Sequence, residues 1–135
     1  MSAVKLSWKL LTRKRNSSTQ GIPPGTETLT WVTNTVTLIS GERDAVLVDT
    51  FLSAQQSKDL VQWVVDSGKN LTAVYITHGH GDHFFGLKLL LDRFPKARAV
   101  ATAAVVAAAK TQITPDFINS VWEPRFPRQL PSQHP

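Results

Sequence analysis

The chain has no cysteine among its 135 residues. Disulfides and thiolate metal sites are excluded, so any metal must be held by His, Asp or Glu. Nowhere does an apolar run approach the roughly 18 residues of a membrane-spanning helix, and none is expected. The basic N-terminus, Met1 to Leu11, lacks the continuous apolar stretch of a secretory signal. Without such a leader and without cysteine, the sequence fits a cytoplasmic protein. The two Asn-x-Ser/Thr sequons, at Asn16 and Asn70, are then read as chance occurrences. No internal repeat and no interdomain linker is visible.

What is present is ordinary globular composition, 41% hydrophobic and 19% charged, enough for one small domain with one core. The formal net charge is +5, and part of it clusters at Arg13, Lys14 and Arg15. Such a cluster can meet phosphate backbones. This one is short and has no interleaved aromatics to stack bases, so a solvated loop is the preferred reading and a nucleic-acid partner is not expected.

Residues 1–11 read as a first strand or a frayed end, and residues 12–27, with Pro23, Pro24 and two glycines, as a loop. From Thr28 to Ile39 polar and apolar residues alternate with many β-branched side chains, which predicts a half-buried strand. Gly41 to Asp44 predicts a turn, and Ala45 to Val48 a short apolar strand ending at Asp49. Ser53 and Gln56 have the spacing of a capping box. Leu60, Val61, Val64 and Val65 then supply one helical face, and Gly68 a stop. Thr72 to Thr77 predicts a strand. Leu87, Leu90, Leu91 and Phe94 recur at helical spacing before Pro95. Residues 98–101 predict another strand, 103–110 an Ala-rich helix, and Thr114-Pro115 the start of a last helix to about Trp122. The Pro-rich tail, 123–135, is expected to be irregular. The organisation is thus an N-terminal strand and loop (1–27), a main α/β domain with a mixed sheet (28–122), and a tail (123–135).

Three of the four histidines fall in Thr77-His78-Gly79-His80-Gly81-Asp82-His83. Imidazole and carboxylate are suitable ligands for zinc, iron or manganese. His78 and His80, two apart, point the same way on an extended backbone, whereas Asp82 and His83 are adjacent and diverge from that pair. One short loop can therefore serve two neighbouring metals, with Gly79 and Gly81 allowing tight turns. Ligand-bearing loops between a strand and a helix are also where open α/β sheets place their sites.

This loop resembles the His-x-His-x-Asp-His signature of metallo-β-lactamase fold hydrolases. Ala45 to Thr50 resembles that family's strand ending in Asp, which makes Asp49 a supporting residue near the metals. The resemblance implies an αββα sandwich with the site at the sheet edge. It implies that His78 and His80 hold a first metal, and Asp82 and His83 a second, with zinc the leading candidate. It also implies hydrolysis of a small-molecule ester, lactone, lactam or thioester by metal-activated water, Asp82 acting catalytically to orient the nucleophile. The family's further ligands, two His and a bridging Asp, have no counterpart downstream. His134 lies in the tail, Asp92 in a predicted helix, and Asp116 at a helix start where acids are favoured anyway. Each metal would have two protein ligands, where catalytic zinc normally has three. The chain is therefore expected to be the N-terminal half of the sandwich, with a sheet face and edge left uncovered. Two alternatives stand beside the hydrolase: a truncated, non-catalytic metal-binding chain, and a phosphodiesterase or nuclease of the same superfamily. Salt-dependent RNA binding that is lost on neutralising Arg13, Lys14 and Arg15 would favour the last.

Overall fold

The computed structural model describes residues 3–14 and 33–134. Arg15, the Asn16 sequon and the part of the predicted strand before Thr33 lie outside the described residues. Five strands form one sheet in sequential order, β1 (Ser7–Arg13), β2 (Asn34–Ser40), β3 (Asp44–Val48), β4 (Asn70–Tyr75) and β5 (Arg98–Val100). β2 runs antiparallel to both β1 and β3; β3, β4 and β5 are mutually parallel. The mixed sheet and the two strand-helix-strand crossovers match the expected α/β class. The first strand runs two residues beyond the expected Leu11, because Thr12 and Arg13 pair with Thr35 and Asn34.

Helix α1 (Ala54–Asp66) crosses from β3 to β4. Ser53 caps it, its side chain accepting from the Gln56 N–H at 3.1 Å. Only half of the capping box forms: Gln56 Nε2 turns away and donates to Lys14 O at 3.3 Å. Leu60 and Val64 face inward, fully buried, and Gly68 closes the helix with φ +68°. A helical turn that periodicity did not reveal, α2 (Gly81–Phe84), precedes α3 (Leu87–Arg93). It is too short for an amphipathic signal to register. Helix α4 (Ala103–Gln112) runs a half-turn further than its alanines suggested. Thr114 then caps α5 (Pro115–Phe117).

The chain differs from expectation after Trp122. A wide π turn, Ile118–Trp122, leads into α6 (Glu123–Arg125), and Phe126 is fully buried rather than part of an irregular tail. The cause is aromatic packing. Phe126 lies beside Trp122, and Trp122 meets Phe85 edge-on at 5.6 Å between centroids. Four prolines are compatible with this because one of them, Pro124, sits in the first turn of α6, where a missing N–H costs nothing.

The two faces of the sheet differ. Val36, Leu38, Leu47 and Val74 point into a core shared with Leu60, Val64, Leu87 and Leu90 of α1 and α3. Register places Trp8, Ile39, Val46 and Ala73 in one row of the opposite face, and Leu10, Thr37, Val48, Tyr75 and Val100 in the next. That face stays open, with Trp8 70% and Leu10 60% exposed. The expected half-sandwich is what is seen. The asymmetry predicts different responses to truncation. Leu47→Ala should lower unfolding free energy by about 2–5 kcal/mol, and Trp8→Ala by less than about 1 kcal/mol, in urea titrations. Equal losses would contradict this assignment of the core face.

Candidate metal centre

The site forms where β3 and β4 end and β2 begins, at one end of the sheet. Asp49 follows β3 directly and takes a left-handed backbone, φ 64°. Asp tolerates that region better than most residues, and the turn aims its carboxylate across to the loop after β4. There it accepts from Thr77 N–H at 2.8 Å, Thr77 Oγ1 at 2.6 Å and His83 Nδ1 at 3.0 Å. Burial raises its pKa, but the hydrogen bonds from His83 and Thr77 outweigh that, and the carboxyl is held below its ordinary value. Asp49 is therefore a structural hub and not merely a strand-end cap.

Thr50 continues the anchorage. Its N–H donates to His83 O at 2.8 Å, and its hydroxyl accepts from Gly86 N–H at 3.1 Å. The loop 77–83 is thus tied to the end of β3 through both backbone and side chains. Neither Gly79 nor Gly81 has positive φ. They are needed for space. A Cβ on Gly79 would lie 2.5 Å from Ala108 Cβ, and one on Gly81 would lie 2.5 Å from the Phe85 ring.

The four sequence-predicted ligands come together as two pairs. His78 Nε2 and His80 Nδ1 approach to 2.7 Å, with ring centroids 4.1 Å apart. His83 Nε2 stands 3.7 Å from Asp82 Oδ2. The pairs are neighbours, the His78 and His83 rings being 5.1 Å apart. Asp82 is buried, whereas His78 and His80 are exposed. The donor chemistry suits a divalent cation; the number does not reach a full set, for no group of three or more His, Asp or Glu among the described residues is arranged to hold one ion. His134 packs on Phe85 at 4.7 Å, where burial lowers its pKa.

Two residues that the sequence reading missed also hold the loop. Asn34, at the start of β2, donates from Nδ2 to Asp82. Its alternation with Val36 and Leu38 places it on the buried face, a signal that was available. Gln112, at the end of α4, accepts from Gly81 N–H at 3.2 Å and from Trp122 Nε1 at 2.9 Å. Nothing local in the sequence points to it.

The fold and the loop together define an α/β protein built around a His- and Asp-bearing strand-end loop. The chain belongs to the metallo-beta-lactamase superfamily, whose family model matches residues 29–134. Over 64 residues it is 39% identical to an atrochrysone carboxyl ACP thioesterase of Pseudocercospora fijiensis, covering 47% of this chain and 19% of that protein. It is 26% identical over 83 residues to a hydroxyacylglutathione hydrolase of Actinobacillus pleuropneumoniae, covering 62% and 34% respectively. Among solved structures it is similar to the metallo-beta-lactamase FIM-1 from Pseudomonas aeruginosa in its mono-zinc form. The TM-score there is 0.58 at 18% identity, over 82% of this chain and 46% of that one. The match thus takes in a fifth to a third of these relatives' length and about half of the structural neighbour's.

Two outcomes follow for the metal-free chain. Gln112→Leu leaves the Gly81 and Trp122 donors without their acceptor and should cost about 1–3 kcal/mol per stranded group in urea unfolding. Asp49→Asn keeps the left-handed turn but loses the charge, and should cost about 1.5–3 kcal/mol at neutral pH. Because the folded-state pKa of Asp49 is depressed, its contribution is present above the ordinary carboxylate value and lost as pH falls through the folded value. The gap between parent and variant, followed by thermal unfolding, should therefore close as pH drops below about 4. A gap that widens on acidification would contradict the assignment.

Proposed function

We propose that this chain carries the metal-binding end of a metal-dependent hydrolase acting on a small-molecule ester, lactone, lactam or thioester. The observation that carries the reading is the convergence of three imidazoles and a carboxylate at the end of β4, with His83 oriented by Asp49. His78 and His80 would hold one cation, and Asp82 and His83 a second. Zinc is favoured by the donor set, with iron or manganese also compatible. When bound, such a cation supplies Lewis acidity and makes water a stronger acid.

The chain's own residues do the rest. The Asp49 carboxylate accepts from His83 Nδ1, which directs Nε2 toward the Asp82 side of the loop. Thr77, bonded to the same carboxylate, fixes where the loop leaves β4. Asp82 would act as the catalytic carboxylate, orienting the nucleophile and holding its proton. The relatives' names favour a thioester or ester carbonyl as substrate. A cytoplasmic setting accords with the lack of cysteine, and no helix among the described residues is long and apolar enough to cross a membrane.

One observation favours a second reading, a metal-binding chain without turnover: each donor pair offers two ligands, where catalytic zinc normally uses three. Calorimetric titration of the metal-free chain with zinc tests both. Weak binding that is reduced in His78→Ala and in His80→Ala, with at most slow zinc-dependent hydrolysis of a generic thioester, is expected. Two tight sites with rapid turnover would overturn the two-ligand account. Binding indifferent to both substitutions would overturn the assignment of the loop.

A further inference from the structure

We infer that Asn34 is a positioning residue for Asp82, clamping both its peptide and its carboxylate. The inference rests on the metal-binding reading above. Asn34 begins β2, and β2 runs antiparallel to β3 beside it. The strand therefore delivers residue 34 to the same end of the sheet as Asp49. Alternation turns its side chain to the core face, in line with Val36 and Leu38. A primary amide on that face needs polar partners, because a buried amide without them is strongly disfavoured.

Its Nδ2 finds them on one residue. The donor lies 3.1 Å from Asp82 Oδ2 and 3.3 Å from Asp82 O. An amide nitrogen has two hydrogens, so both contacts can be made together. Both residues are buried, Asn34 6% and Asp82 4% exposed. Two bonds from one rigid group restrict rotation of the carboxylate and movement of the peptide that carries it. The same Oδ2 is the atom that faces His83 Nε2 at 3.7 Å. Asn34 thereby acts on one member of the Asp82–His83 pair, and Asp49 on the other. Supporting hydrogen bonds of this kind, when removed, typically weaken metal binding by about 10- to 100-fold.

A mutant cycle separates positioning from general stability. Zinc is titrated into the parent chain, Asn34→Leu, Asp82→Asn and the double variant. Asn34→Leu, close to isosteric, should bind about 10-fold more weakly or worse. The double variant should bind no more weakly than Asp82→Asn alone, because Asn34 acts through the Asp82 carboxylate. Should Asn34→Leu not fold, the parent provides the readout. The Asn34 side-chain amide resonance should move on adding zinc, while that of Asn70, which bonds Asp44 at a distance from the loop, stays in place. Unchanged affinity in Asn34→Leu, additive losses in the cycle, or an Asn34 resonance indifferent to zinc would each overturn the role of Asn34 while leaving the metal reading intact. A parent chain that binds no zinc would overturn both.

Discussion

Three hydrogen bonds converge on the buried Asp49 carboxylate, two from Thr77 and one from His83. They join the end of β3 to both ends of the loop that leaves β4. Without them the loop would be a glycine-containing surface turn with several arrangements of comparable energy. With them, the exit from β4 and the first turn of α2 are fixed relative to the sheet. The left-handed backbone at Asp49 works against folding locally, and the three acceptor contacts offset it. Charge stays on Asp49 because its bonded neighbours outweigh the desolvation that opposes it. The imidazole of His83 is consequently held by a charged acceptor, a stronger tether than a neutral one.

Much of this was legible in the sequence because its signals are local. Alternation marks β2, the Ser53 cap and the Leu60–Val64 spacing mark α1, and the histidine spacing marks the loop. What stayed hidden depends on contacts between distant residues. Gln112 becomes important only when α4 packs against the loop and Trp122 folds back onto its amide. The burial of Phe126 depends on an aromatic cluster reached through a π turn, and no propensity encodes that arrangement. Proline content suggested an irregular tail, but proline excludes helix only in its interior and not in its first turn. The glycines of the loop matter because Ala108 and Phe85 leave no room for a side chain there.

The superfamily accounts for the kind of sheet this is. The geometry adds that the four candidate ligands are grouped in twos. In the Asp82–His83 pair Asp82 is buried and His83 half-buried, and the two are tethered by Asn34 and Asp49. The His78–His80 pair is exposed, its rings in contact with each other. A preorganised pair loses less conformational freedom on binding a cation than a mobile one does. The sheet face opposite the core is open, with Trp8 and Leu10 in solvent.

Asp49 orders His83 in the metal-free chain through the contact with Nδ1. Long-range nitrogen–proton correlation spectra of the metal-free chain, recorded near neutral pH, read the tautomer of each histidine directly. His83 should carry its hydrogen on Nδ1, donated to Asp49, and lose that preference in Asp49→Ala. A His83 ring protonated at Nε2 alone, or one averaging between tautomers in the parent chain as in the variant, would contradict it.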